Sequence, residues 1–400
     1  MGSKGPLAAF WFLYLGGLGI FFPFFSLYLR ENAGLSGTQV GLVIAMIPAV
    51  GIVAQPLWGH LADRRGARAR VLVLLALGAA AGHGVLYRAQ GFPALLLCTV
   101  FLASFATAVI PQTVAVSLAA LRDPSARAFG RVRVWGTVGF LILVVGFPRL
   151  LDWLQTTRGW SAAPGVSEPG LGLLFPLTAL LCLAAAAVGL TIPRGGEEAL
   201  RSQRGDWRSL LRHRPVVVLL GLTVLAYLAL QGPMGLFPLL IRSQGGSMET
   251  VGNLWVLMLA LEIPLVLYTS ASLKRLGPRG LLFIGIAAGG VRWTVCGFAE
   301  SSAAIYAVQP LHGVTVAGLI IGAPLYLEAA VPERLRSTAQ GLLAMVGVGL
   351  GGIASNVTAG WLLEHVGPRA PYIAGGLTGF ACAALLPLVL PRAERPAAAV

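Results

Sequence analysis

Charge is what this chain has least of. Only 11% of its 400 residues are charged, and the acidic share is thin, 15 Asp and Glu against 29 Lys and Arg. A soluble protein carries about 25% charged residues. So little charge, with 56% hydrophobic residues and a mean hydropathy of +0.80, excludes an ordinary soluble domain. Cysteine is scarce too. Cys98, Cys182, Cys296 and Cys382 all lie inside apolar runs. They have no metal-ligand spacing and read as small buried hydrophobes, so neither a disulfide framework nor a metal site is expected. No His, Asp and Glu cluster or nucleophile triad stands at the end of an apolar run. A membrane enzyme is therefore disfavoured, and no cofactor is implied. A cleavable leader is not evident: the first apolar run, 7–29, is too long for a signal core and has no clear cleavage site.

What is present is a series of long apolar runs. Each is long enough to cross a hydrocarbon core of about 30 Å at about 1.5 Å per residue. Twelve spans can be placed: 7–29, 39–60, 71–88, 93–118, 134–151, 171–192, 215–241, 250–272, 280–298, 302–327, 338–362 and 370–391. The expected fold class is an all-α integral membrane protein. The 52 glycines and 25 prolines do not oppose it, because membrane helices tolerate both and use glycine for close packing.

The net charge of +14 does not call for nucleic acid. Lys and Arg gather on the cytoplasmic side of membrane proteins. With the N-terminus inside, the inner loops hold the basic clusters at 64–70, 122–133, 194–214 and 274–279. The outer side holds only Arg30, Arg88, Arg149, Arg158, Arg242 and Arg369. Both termini are therefore expected in the cytoplasm, and the Trp-, Gly- and Pro-containing stretch 153–170 is expected as an external loop.

The polar loop Gly59–Arg70, GHLADRRGARAR, has a second copy at Ser270–Arg279, SASLKRLGPR. At one constant offset of 211 residues Arg64 falls on Arg275, Gly66 on Gly277 and Arg68 on Arg279. The same offset pairs Val40-Gly41 with Val251-Gly252, Gly130 with Gly341 and Gly136 with Gly347. The chain reads as a tandem duplication. Residues 1–192 form one six-helix bundle and 215–400 the other, joined by a basic cytoplasmic linker, 193–214, with a short surface helix around Trp207–Leu211.

Three ionisable residues fall inside spans: Glu262, Arg292 and His312. Helical rise puts each about 15–18 Å deep, near the midplane. A charge there costs about 2.5–3.5 kcal/mol or more unless it faces water or a partner. Both signs at one depth predict pairing around a wet cavity. His312 is a candidate proton carrier, because its unperturbed pKa is the one near physiological pH. Gln309, His312 and Thr315, three apart, lie on one helical face and form a polar stripe.

Six plus six spans, a duplication and a basic linker resemble the major facilitator superfamily. Gly59, Asp63, Arg64, Gly66 and Arg68 match that family's motif between spans two and three. The resemblance implies a latch: Asp63 and the arginines hold neighbouring helix ends in one conformation, with Arg275, Gly277 and Arg279 as the second copy, where Lys274 replaces the aspartate. The segments GIFFPFFSLYL, QPLWGHLADRRG, FGRVRVWGTVGF and QPLHGVTVAG resemble the branch that holds lactose, nucleoside and phenylpropionate permeases. In that branch Glu262, Arg292 and His312 match substrate-binding and proton-pathway residues, and Arg133 a sugar-binding arginine. Thr315 stands where lactose permease has its proton-carrying glutamate, and Val114 stands near its span-four sugar-binding glutamate.

Phe22 in span one and Trp135 and Phe140 in span five offer rings for stacking. Gln112 joins Arg133, Gln309 and Thr315 as a candidate substrate contact. The family resemblance implies a monomeric secondary active transporter of the inner membrane, in contact with lipid. It would couple protons to uptake of a small organic solute such as an aromatic acid or sugar. Two alternatives remain, a proton-coupled exporter and a non-transporting scaffold or receptor. Span five has no glycine-proline pair of the kind typical of proton antiporters.

Overall fold

The structure, a computed structural model, describes residues 4–64, 68–121, 126–161, 166–192 and 207–392; the side chains of 64, 126–127, 207, 261, 263–275 and 337 are outside that description. Every regular element among the described residues is helical. Among the described residues eleven helices are long and apolar enough to cross a membrane, and Met248–Ala260 is a shorter apolar stretch. The chain is a multi-pass membrane protein.

The first spans are α1 (Lys4–Leu27, continued by a π turn to Asn32), α2 (Gly37–Arg64), α3 (Arg68–Arg88) and α4 (Gly91–Ala120). They are followed by α5 (Ala126–Arg158) and α6 (Leu174–Gly189). The expected external loop starts later than residue 153. Thr156 and Thr157 turn their hydroxyls onto the carbonyls of Asp152 and Trp153, which keeps α5 helical through polar sequence. Gly159, at φ +62°, ends it.

After the short α7 (Trp207–Leu210) come α8 (Arg214–Ser243) and the long α9 (Met248–Phe298). The latter contains the expected spans eight and nine without a full loop between them. Only Gly277 leaves helical geometry, at φ 66° and ψ 172°. A side chain at that left-handed φ is strained, so the bend sits on a glycine. The tenth span is assembled from α10 (Ser302–Val308), α11 (Leu311–Val316), a π segment and α12 (Ala323–Ala330). The last two spans are α13 (Glu333–Leu343) with α14 (Gly352–His365), and α15 (Ala370–Val389).

The chain divides into two compact units, Met1–Arg201 with Gly245–Trp255, and Ser202–Gln244 with Val256–Val400. In the first, α1 packs on α5 and α6, α3 on α4 and α6, and α2 on α4. In the second, α8 packs on α14 and α15 in the same way that α1 packs on α5 and α6. The glycines paired by the repeat do matching work. Gly136 meets Trp11 and Leu15 of α1, and Gly347 meets Thr223 and Tyr227 of α8.

Candidate functional site

The second unit owns the site because two of its helices cross closely. A Cβ on Gly285 would lie 2.5 Å from the Cα of Gly318, and one on Gly318 would lie 2.4 Å from the Cα of Gly285. Only a glycine pair permits this approach. One turn further along α9, Gly289 faces Thr315. The next turns bring Arg292 to His312 and Cys296 to Gln309. The crossing therefore sets the register of the polar groups.

Arg292 is 1% exposed and fully engaged. Its Nε and Nη2 both donate to Gln309 Oε1, at 3.0 and 2.8 Å. Its Nη1 lies 3.1 Å from His312 Nδ1. Sulfur atoms of Met234 and Met258 approach the same guanidinium, the latter at 3.1 Å from Nη2. Its Cζ sits 4.0 Å from the centre of the Trp293 ring and 5.7 Å from that of Phe237. Aromatic faces and soft sulfurs are what a cation accepts when water is removed. Among the described residues no carboxylate touches this guanidinium.

The contact with His312 fixes a proton. A guanidinium has donors only, so Nδ1 of His312 must present its lone pair. The ring hydrogen is then on Nε2, which lies 3.7 Å from Glu262 Oε2. Gln309, Arg292, His312 and Glu262 form one row, so the three ionisable residues expected to pair stand together, with His312 between Arg292 and Glu262. Gln309 is completely buried, and its amide nitrogen donates to the Ile305 carbonyl at 2.8 Å. It holds Arg292 in place. Thr315 gives its hydroxyl to the Leu311 carbonyl. A small cavity of about 100 Å³ lies alongside, lined by Arg292, His312 and Thr315 with Tyr227, Leu230 and Met234 among its apolar walls.

The first unit holds the remaining candidates. Arg133 is exposed, with its Cζ 6.0 Å from the Trp11 ring. Trp135 is exposed as well. Phe22 and Phe140 both pack on Trp255, at 5.7 and 5.3 Å between ring centres. Gln112 is buried, and its Oε1 has no partner among the described residues. Gly59 lies over the amide of Gln112.

In the basic loop, Asp63 Oδ1 takes Arg68 Nη2 at 2.8 Å and Nε at 2.9 Å. Gly66 and the side chain of Arg64 lie outside the described residues, as does the side chain of Arg275. Arg279 donates to the Pro387 carbonyl at 2.5 Å.

Sequence reasoning missed Met234, Met258 and Trp293. Each is an apolar residue in an apolar segment, so nothing in the pattern marked it. Trp293 alone had a signal: it adjoins an arginine inside an apolar run.

A family model, described as the MFS_1 like family, matches residues 6–374. The chain belongs to this family. It is a membrane transporter of the major facilitator superfamily. It is 30% identical over 375 residues to the maltose permease of Geobacillus stearothermophilus, covering 92% of this chain and 90% of the relative. It is 28% identical to a probable 3-phenylpropionic acid transporter of Escherichia coli, over 90% of this chain and 91% of the relative. In fold it is similar to a mutant of the nucleoside transporter NupG, with a TM-score of 0.85 at 16% identity, over 98% of this chain and all of that one. The two-unit helical architecture is that of the superfamily.

Proposed function

We propose that this transporter is a proton-coupled symporter that takes up a small organic solute, an aromatic acid or a sugar, across a bacterial inner membrane. Both termini face the cytoplasm, and the working unit is a monomer. The observation that carries the reading is the row Gln309–Arg292–His312–Glu262, with the cavity beside it.

The row assigns different tasks to its members. His312 cannot take a second proton while Arg292 donates to its Nδ1, because two donors would then face each other. Glu262 is thus the group that gains and loses the proton. When it is ionised, it draws the Nε2–H side of the imidazole and partly balances the guanidinium beyond. When it is protonated, that balance is lost, and an incoming solute offers the replacement acceptor. Proton and solute then travel together because each compensates the same buried cation. The phenylpropionate transporter and the maltose permease among its relatives support either an anionic or a hydroxyl-rich solute. Gly59, Asp63, Arg64, Gly66 and Arg68 act as the latch between conformations, with Arg275, Gly277 and Arg279 as its second copy.

The test is uptake of labelled maltose, 3-phenylpropionate and uridine into proteoliposomes with an alkaline interior. Symport requires accumulation of at least one solute that collapses with a protonophore. Accumulation that survives the protonophore excludes proton coupling. Uptake driven only by an acidic interior identifies the exporter instead.

A further inference from the structure

The two copies of the basic loop differ at one telling position. In the first copy Arg68 has its anion built in, Asp63, at 2.8 Å. The repeat places Lys274 where Asp63 would be. Arg279, the counterpart of Arg68, reaches instead to the carbonyl of Pro387 on α15. One N–H of a five-donor fork is used there.

Arg279 lines an open cleft of about 490 Å³ together with Arg392, Leu276, Phe283, Leu386 and Pro387. Among the described residues no acidic side chain lines it and no carboxylate pairs with either arginine. The position along the membrane axis matters as much as the charge. Arg279 stands at the start of the span Leu276–Phe298, and Arg392 stands just beyond the end of Ala370–Val389. Phe283, 40% exposed, lies one turn deeper on the face of Arg279, and Leu276, the first residue of the span, also lines the cleft and is 45% exposed. The cleft therefore has a cationic mouth where headgroups lie and an apolar wall that runs into the hydrocarbon.

We propose that this cleft binds an anionic phospholipid, its phosphate between Arg279 and Arg392 and an acyl chain along Leu276 and Phe283. The membrane supplies the anion that the second copy of the loop has lost. A soluble phosphate would satisfy the arginines but leave the apolar wall unused, whereas a lipid matches both. The bound lipid would tie α9 to the end of α15 at the same place as the Arg279–Pro387 bond.

Native mass spectrometry of the detergent-solubilised full chain tests this. Phosphatidylglycerol and phosphatidylcholine of identical acyl chains are offered together. With two arginines, the site predicts roughly 25-fold more phosphatidylglycerol retained. Each arginine near a membrane surface contributes about fivefold. Arg392→Gln should therefore cut that preference by about fivefold, and Arg279→Gln with Arg392→Gln should erase it. Arg279→Gln also removes the bond to Pro387, so the single variant at Arg392 decides the matter if the double variant does not fold. Equal retention of the two lipids, or an unchanged preference in Arg392→Gln, overturns the proposal. So does inorganic phosphate that raises the melting midpoint as far as phosphatidylglycerol does, since the source would then be the soluble anion. Transport is not read in any arm, so a negative result here leaves the symport reading standing.

Discussion

Nη1 of Arg292 lies 3.1 Å from Nδ1 of His312, and the donor-only character of the guanidinium decides which ring nitrogen carries the hydrogen. The consequence reaches Glu262, because the Nε2–H side of the ring is the side it sees, at 3.7 Å. A buried cation is thereby linked to a titratable anion through a group that cannot itself change charge without breaking a contact.

The first expectation concerns Glu262. Replacing it by Gln keeps the size of the side chain and removes the ionisation. Accumulation driven by a pH gradient should be lost, while exchange of labelled for unlabelled solute at equal pH persists. Both are read in the same proteoliposomes. Full accumulation in Glu262→Gln would remove this residue from the coupling.

Gln309 should behave as a structural support for Arg292. Gln309→Leu leaves Nε and Nη2 of a fully buried guanidinium without their shared acceptor. Loss of a buried acceptor for a charged donor costs about 3 kcal/mol. The melting midpoint in detergent should drop, and Gln309→Glu, which restores an acceptor, should recover it. A Gln309→Leu protein as stable as the parent would show that the sulfurs and rings alone suffice.

Much of this was legible in the sequence, for a physical reason. Lipid penalises charge so strongly that Glu262, Arg292 and His312 stand out in any apolar run, and their convergence follows from equal depth. The spans were legible because their apolar length is set by the bilayer. What holds Arg292 was not legible: Met234, Met258 and Trp293 are ordinary residues of a membrane helix. Gly285 and Gly318 were hidden among many glycines, and only the crossing distinguishes them. The extension of α5 to Arg158 escaped because Asp152, Thr156 and Thr157 look like loop residues, yet both hydroxyls bond back to their own helix.

Asp63 should matter for conformation more than for stability. Its pair with Arg68 is partly solvated, with 22% and 41% of the two side chains exposed. Such pairs contribute about 0–1 kcal/mol. Asp63→Asn should therefore melt within a few degrees of the parent. If the loop is a latch, the labelling rates of single cysteines placed on the two membrane faces should shift in opposite directions. Identical labelling on both faces would leave Asp63 as a local anchor for the turn.

The crossing of α9 with the tenth span provides the sharpest structural test. At Gly285 any side chain starts with a Cβ 2.5 Å from the Gly318 backbone, and backbone cannot step aside as a flexible side chain can. Gly285→Val should push the two segments apart and lengthen the Arg292–Gln309 and Arg292–His312 contacts two turns away. Transport should be lost, and the melting midpoint should fall. At Gly221 nothing lies within 4 Å of an added Cβ, so Gly221→Ala should retain both. If Gly285→Val transported solute at the parental rate, close packing of these segments would not be what holds the polar row in register.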